Sequence, residues 1–178
     1  FWLWFERVYL VYFVDRVVLA SSIRKFYRMA AGHIYFQALA AAVELDLFTI
    51  LRAEGAMTIA ELAHRLGLQE QPCRILVQAL TANGVLRKRG DRYANTIMSR
   101  IAFSAQDPRN LKATILWQKY IVYKPMSRFL ESLQEYRNVG LEEIPGSGQT
   151  LYERLEAHPW LEKIFQDSMQ EISIQAND

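Results

Sequence analysis

The sequence predicts a mainly α-helical fold: a winged helix, meaning a helix-turn-helix followed by a β-hairpin, with extra helices before and after it. Three observations predict it. Apolar residues recur at three- and four-residue spacings along most of the chain. Only 8 Gly and 5 Pro punctuate 178 residues. A single Gly90-Asp91 turn separates two short stretches that read as strands. With 51% hydrophobic and 22% charged residues, the chain is long enough to bury one sizeable core or two small ones.

The elements follow in order. Phe1 to Tyr27 is strongly apolar and aromatic, but Glu6, Arg7, Asp15 and Arg16 interrupt it, so no run approaches the ~20 apolar residues of a membrane span. These charges do not share a face. Trp2, Trp4, Phe5, Tyr9, Tyr12, Phe13 and Val17 are left nearly all round the helix, and a helix that apolar must be covered. Gly32 to Arg52 is the next helix, with Ala38, Ala41, Ala42, Leu45 and Phe48 at helical spacing. Gly55 breaks the chain. Thr58 is then an N-cap with Glu61 as its capping-box partner, starting a helix over Ile59 to Leu66 that Gly67 ends.

Pro72 sits near the start of the following helix, where its missing N–H is no loss. Its inward stripe is Ile75, Leu76, Ala79 and Leu80, and Asn83-Gly84 stops it. Val85 to Lys88 and Arg92 to Thr96 form the hairpin. Asn110 to Tyr136 reads as one or two long helices with a kink or break at Pro125. Asn138 to Gly148 is a loop, and Thr150 to Ile174 gives two helices parted near His158-Pro159.

A winged helix can read DNA or serve as a structural and dimerisation module. Lys+Arg of 21 against Asp+Glu of 19 leaves a charge of only +2, far from the excess of a dedicated nucleic-acid binder. The stretch that would enter the groove, Gln69 to Arg74, offers one cation, and Glu70 repels phosphate. Arg87, Lys88, Arg89 and Arg92 on the wing read more simply as a solvated turn. The sequence argues against DNA and against a membrane.

His33, His64 and His158 lie on separate elements with no nucleophile context. His64 with Glu61 supplies too few ligands for a metal. Gly146-Ser147-Gly148 follows a polar loop and no buried strand, so it reads as a mobile loop and not a phosphate cradle. The single Cys73 rules out an internal disulfide, and a reducing cytoplasm is the default compartment. The sequence opens at Phe1, so a native start and any targeting signal can lie upstream.

One unusual feature remains. Trp117, Tyr120, Tyr123 and Met126 fall on one helix, and Trp160, Leu161, Phe165 and Met169 on another. An ordinary helical core accounts for this equally well as a flat apolar pocket wall for a planar ligand.

Several words of the sequence resemble the N-terminal region of the plant caffeate-type and bacterial small-molecule O-methyltransferases. They are AAVELDLFTIL at Ala41 to Leu51, MTIAELAHRLGL at Met57 to Leu68, RILVQALTANGVL at Arg74 to Leu86, YANTIMSRIA at Tyr93 to Ala102, and GQTLYERLEAHPWLEKIFQDSM at Gly148 to Met169. The resemblance covers Gly32 to Ser173. It implies that this region interlocks two subunits and closes over the substrate, while a separate Rossmann-like domain binds S-adenosylmethionine and carries a His base.

By position, Phe165 and Met169 match the family's pocket-lining Phe and Met, Leu161 takes an aromatic position one turn earlier, and Tyr123 falls near a family Met. Trp117, Tyr120 and Met126 are added from helical spacing alone. The resemblance implies three parts: a dimerisation helix over 1–31, a winged-helix dimerisation domain over 32–104 and a substrate-capping segment over 105–178.

Two copies are expected to intertwine through the first two helices, covering the aromatic surface. No glycine-rich strand-to-helix turn and no catalytic His motif follows Ser173. The chain alone is therefore expected to bind no cofactor and transfer no methyl group, leaving S-adenosylmethionine to the complete enzyme. A subunit of a split methyltransferase, a repurposed ligand-binding scaffold and a winged-helix regulator stay open as alternatives.

Overall fold

A computed structural model describes residues 20–23 and 25–176. The aromatic segment before residue 20, and with it most of the expected dimerisation helix, lies outside the described residues. The chain forms two units, 1–36 and 37–178. In the first, residues 20–23 and 25–30 are helical, and Phe26 meets Tyr27 edge to face with ring centres 5.6 Å apart. Ile23, Phe26, Tyr27, Met29 and Ile34 are exposed.

Helix α1 (Gly32–Glu44) is followed by α2 (Leu47–Glu54). The single helix expected over Gly32 to Arg52 is thus two, bent by 58°. The cause is Asp46, which adopts a left-handed φ of 58°. Its carboxylate offsets that strain by accepting from Thr49 Oγ1 at 2.9 Å and Lys112 Nζ at 2.5 Å. Asp is one of the few residues that tolerates this region, and a hydrophobic-period reading passes over it.

Helix α3 (Ile59–Leu66) has the expected termini. Thr58 accepts from Glu61 N–H, Glu61 reaches back to Thr58 N–H at 2.7 Å, and Gly67 caps the end with a left-handed φ of 65°. Helix α4 (Glu70–Ala82) completes the helix-turn-helix. Its inward stripe is Cys73, Val77 and Leu80 with Leu76 beside them. Ile75, expected inside, is 63% exposed. Leu76 and Leu80 lie on both the expected and the observed face, so exchanging Ile75 for Cys73 and Val77 turns the buried face by roughly 80° at about 100° per residue.

Strands β1 (Leu86–Arg89) and β2 (Arg92–Asn95) pair antiparallel, with Leu86 opposite Asn95 and Arg87 opposite Ala94. Met57 joins the wing by exchanging backbone bonds with Tyr93 at 2.9 and 2.7 Å. These elements and the short α5 (Ile97–Ala102) enclose the first core, centred on Phe48, Leu62, Leu80 and Leu86. Each fully buried side chain of this kind contributes on the order of 1.5–3 kcal/mol.

The stretch expected as one or two long helices is more broken. Helix α6 (Lys112–Trp117) runs into a π-helical turn (Gln118–Val122), where Tyr123 N–H reaches the Gln118 carbonyl at 2.8 Å. Pro125 then opens a 3-10 turn (Pro125–Arg128) ahead of α7 (Phe129–Glu135). The expected loop after it contains a second 3-10 turn (Val139–Glu143), and Val139 and Gly140 are buried. A Cβ on Gly140 would stand 2.7 Å from the Pro125 carbonyl, so only glycine permits this approach.

Helices α8 (Leu151–Glu156) and α9 (Pro159–Ala176) end the chain, parted at His158-Pro159 as expected. Ile121, Ile144, Leu155 and Leu161 form a second, smaller core, with Trp117, Leu151 and Phe165 packed on it. Among the described residues no single helix is long and apolar enough to cross a membrane.

Candidate functional site

The aromatic and thioether residues gather where α6 and its π turn lie along α9. Glu171 on α9 fixes this docking. Its carboxylate accepts from the N–H groups of Ala113 and Thr114 at 2.9 and 2.8 Å and from Thr114 Oγ1 at 2.9 Å. It thereby satisfies donors at the start of α6 that the helix cannot satisfy itself.

Of the residues singled out from sequence, Trp117, Leu161 and Phe165 share the second core. Leu161 is 2% exposed and serves as interior packing. Trp117 is half-buried, and its Nε1 is enclosed with no hydrogen-bond partner among the described residues. Tyr120 meets Trp160 edge to face with ring centres 5.2 Å apart, and Phe165 meets Tyr152 at 5.6 Å. Met169 stands exposed one turn beyond Phe165. Tyr123 and Met126 lie beyond the π turn, and Met126 is 52% exposed.

A polar cluster that sequence reading missed anchors Tyr120. Glu44, the last residue of α1, accepts hydrogen bonds from both Lys119 Nζ and Tyr120 OH. Partial burial pushes the Glu44 carboxyl up, but the bonds from Lys119 and Tyr120 outweigh it and hold the group below its ordinary value. The same bond to Glu44, with burial, pushes the Tyr120 hydroxyl up. The partners are 75 and 76 residues apart, so no local pattern marks them.

Arg154 binds the loop ahead of α8, donating to the carbonyls of Gly148 at 2.7 Å and Ile144 at 2.6 Å. The expected mobile loop at Gly146-Ser147-Gly148 is therefore pinned. A Cβ at Gly148 would meet Glu153 at 2.5 Å, so the glycines admit protein packing and leave no cradle for a nucleotide. The described sheet is a two-stranded hairpin.

Among the described residues, the winged-helix half carries two clefts of note. The larger, about 490 Å³, carries Glu54, Glu61, His64, Arg65 and Arg92. Its charges are already paired, Arg65 with Glu54 and Arg92 with Glu61. Among the described residues no three His, Cys, Asp or Glu side chains are placed to hold a metal. At the exposed start of α4, Arg74 faces Glu70 at 3.9 Å.

The class of structure is a winged helix followed by a helical segment with an aromatic face. The O-methyltransferase dimerisation-domain profile matches residues 27–104. The chain is 34% identical over 146 residues to L-tyrosine C(3)-methyltransferase of Streptomyces lavendulae, covering 82% of this chain and 40% of that protein. It is 42% identical over 71 residues to 3-hydroxy-5-methyl-1-naphthoate 3-O-methyltransferase of Streptomyces sahachiroi, covering 40% of this chain and 20% of that one.

Among solved structures it is similar to the S-adenosylmethionine-dependent methyltransferase SibL, with a TM-score of 0.78 and 32% identity. That match covers 86% of this chain and 45% of SibL. Residues 27–104 are thus similar to the O-methyltransferase dimerisation domain, and the chain spans less than half the length of the relatives it matches.

Proposed function

We propose that this chain is the homodimerising and substrate-capping part of an S-adenosylmethionine-dependent small-molecule methyltransferase. In this reading the winged-helix part holds two subunits together and residues 105–178 close over a planar aromatic acceptor. One observation carries it. Tyr120 and Met126 on one side, and Trp160 and Met169 on α9, stay open to solvent around a second core that is already closed by Ile121, Leu155 and Leu161.

Exposed aromatic and thioether groups beside a finished core are what a flat ligand needs. The names of the two curated relatives point to the ligand class, because tyrosine and a hydroxynaphthoate both carry a phenolic hydroxyl on an aromatic ring together with a carboxylate. The exposed Ile23, Phe26, Tyr27, Met29 and Ile34 support a second copy as the cover for the front of the chain.

The methyl donor and the base belong, in this reading, to a Rossmann-like domain or subunit outside these residues. What the present residues supply is a hydrophobic wall that orients the acceptor ring and excludes water. Two measurements test the proposal. Sedimentation of the 178-residue chain is expected to give a dimer, and a dispersed monomer without detergent overturns the dimerisation half. Tryptophan fluorescence is expected to quench on adding 3-hydroxy-1-naphthoate, with the F165A and M169A variants binding about tenfold more weakly, near 1.4 kcal/mol. Unchanged quenching in both variants removes the pocket wall.

A further inference from the structure

The corner between α1 and α2 reaches across to the capping segment at two points. Asp46 accepts from Lys112 Nζ at 2.5 Å, at the start of α6. Glu44 accepts from Lys119 Nζ and Tyr120 OH, both in the π turn that follows α6. Two carboxylates, two positions apart in sequence, thus hold one helical stretch near both of its ends. Tyr120 also meets the Trp160 ring of α9 edge to face, at 84° with ring centres 5.2 Å apart. Trp160 is 53% exposed and stands outside the second core, which leaves the Tyr120 edge to orient its ring. Tyr120 therefore joins α1 through its hydroxyl and α9 through its ring.

The turn that carries Tyr120 supplies the second observation. In an unbroken α-helix the Tyr123 N–H would bond the Lys119 carbonyl, but here it reaches the Gln118 carbonyl, one residue further back, at 2.8 Å. Such wide turns are rare and occur most often at functional sites. Reverting to α register would swing the side chains on one side of the turn by up to about 100° relative to those on the other. Lys119 and Tyr120 are consecutive residues of this turn, and both bond the same carboxylate. Lys119 Nζ also lies 5.0 Å from the centre of the Tyr120 ring, so the three side chains close a triangle of charge-assisted contacts.

We propose that Glu44 is a positioning residue of the ligand wall, an inference that rests on the substrate-capping reading above. Glu44 touches no ligand itself. It acts through Tyr120, holding the π turn and setting the angle at which the Trp160 ring is presented to the acceptor. The second core, closed by Ile121, Leu155 and Leu161, packs without it. Because α1 precedes the winged-helix hairpin, the shape of the wall then depends on an element outside residues 105–178, and the winged-helix part does more than join subunits.

Fluorine NMR of the 178-residue chain labelled with fluorotryptophan tests this, because the Trp160 resonance senses the Tyr120 ring beside it. W160F identifies that resonance among the four tryptophans. E44A and Y120F, both at exposed positions, are expected to displace it and to bind 3-hydroxy-1-naphthoate about tenfold more weakly than the parent. E44Q keeps an oxygen that accepts from Tyr120 and is expected to recover most of the displacement. K112M breaks the other contact of the same corner without touching Tyr120, and is expected to leave both the resonance and the affinity near the parent's. E44A without displacement, K112M displacing the resonance as far as E44A, E44Q recovering nothing, or E44A binding the naphthoate like the parent overturns the inference alone. A parent chain that binds no naphthoate removes the capping reading and the inference with it.

Discussion

Glu44 holds the Lys119 and Tyr120 side chains at once, and its protonation decides whether it can. Its folded value lies below the ordinary one, so its contribution to stability is present above the ordinary glutamate range and is lost as the pH falls through the folded value. Tyr120 behaves oppositely. Its hydroxyl is pushed up, so its contribution is present below the ordinary tyrosine range and disappears as the pH rises through the raised folded value. E44Q removes the negative partner of both neighbours. It is expected to let one tyrosine ionise closer to the ordinary range, read as a shift in tyrosinate absorbance against the parent chain. Identical titrations for the two proteins rule out the link between Glu44 and Tyr120.

At the scale of elements, the chain uses two kinds of helix start. Helix α3 is capped from within four residues by Thr58 and Glu61, a pattern visible in sequence because both partners belong to the same turn. Helix α6 has no cap of its own from Leu111 and takes the Glu171 carboxylate from α9 instead. That single group caps one helix and docks another. E171A is expected to destabilise the chain by about 1–3 kcal/mol, combining a lost cap with donors left unsatisfied. T58A is expected to cost about 1 kcal/mol, as an ordinary cap does. Urea denaturation of the three proteins compares them, and an E171A variant as stable as the parent removes Glu171 from this role.

Among the described residues, two cores are joined through α6. Ile115 and Leu116 pack on the winged-helix core, and the next residue, Trp117, packs on the smaller one. Consecutive positions on one helix thus serve different interiors. L155A removes a side chain that is 2% exposed from the four-residue core. It is expected to cost about 2–5 kcal/mol. Hydrogen exchange is expected to lose protection across the second core while α3 and α4 keep theirs. Uniform loss in both regions shows a single cooperative unit.

Legibility follows the range of the forces. The Thr58 and Glu61 box, the Gly67 cap, the hairpin and the break at His158-Pro159 could all be read in advance, because each depends on residues within a few positions. Helical spacing also brought Trp117, Tyr120, Leu161 and Phe165 to one region, although it could not tell the interior Leu161 from the open Tyr120. The Asp46 bend, the pinned glycine loop and the Glu44 anchor could not be read. Asp46 is held by Lys112, and Glu44 meets Lys119 and Tyr120 from 75 and 76 residues away. Local backbone preference and hydrophobic period are properties of a few consecutive residues. Which distant carboxylate, carbonyl or guanidinium completes a site is decided only when the helices dock.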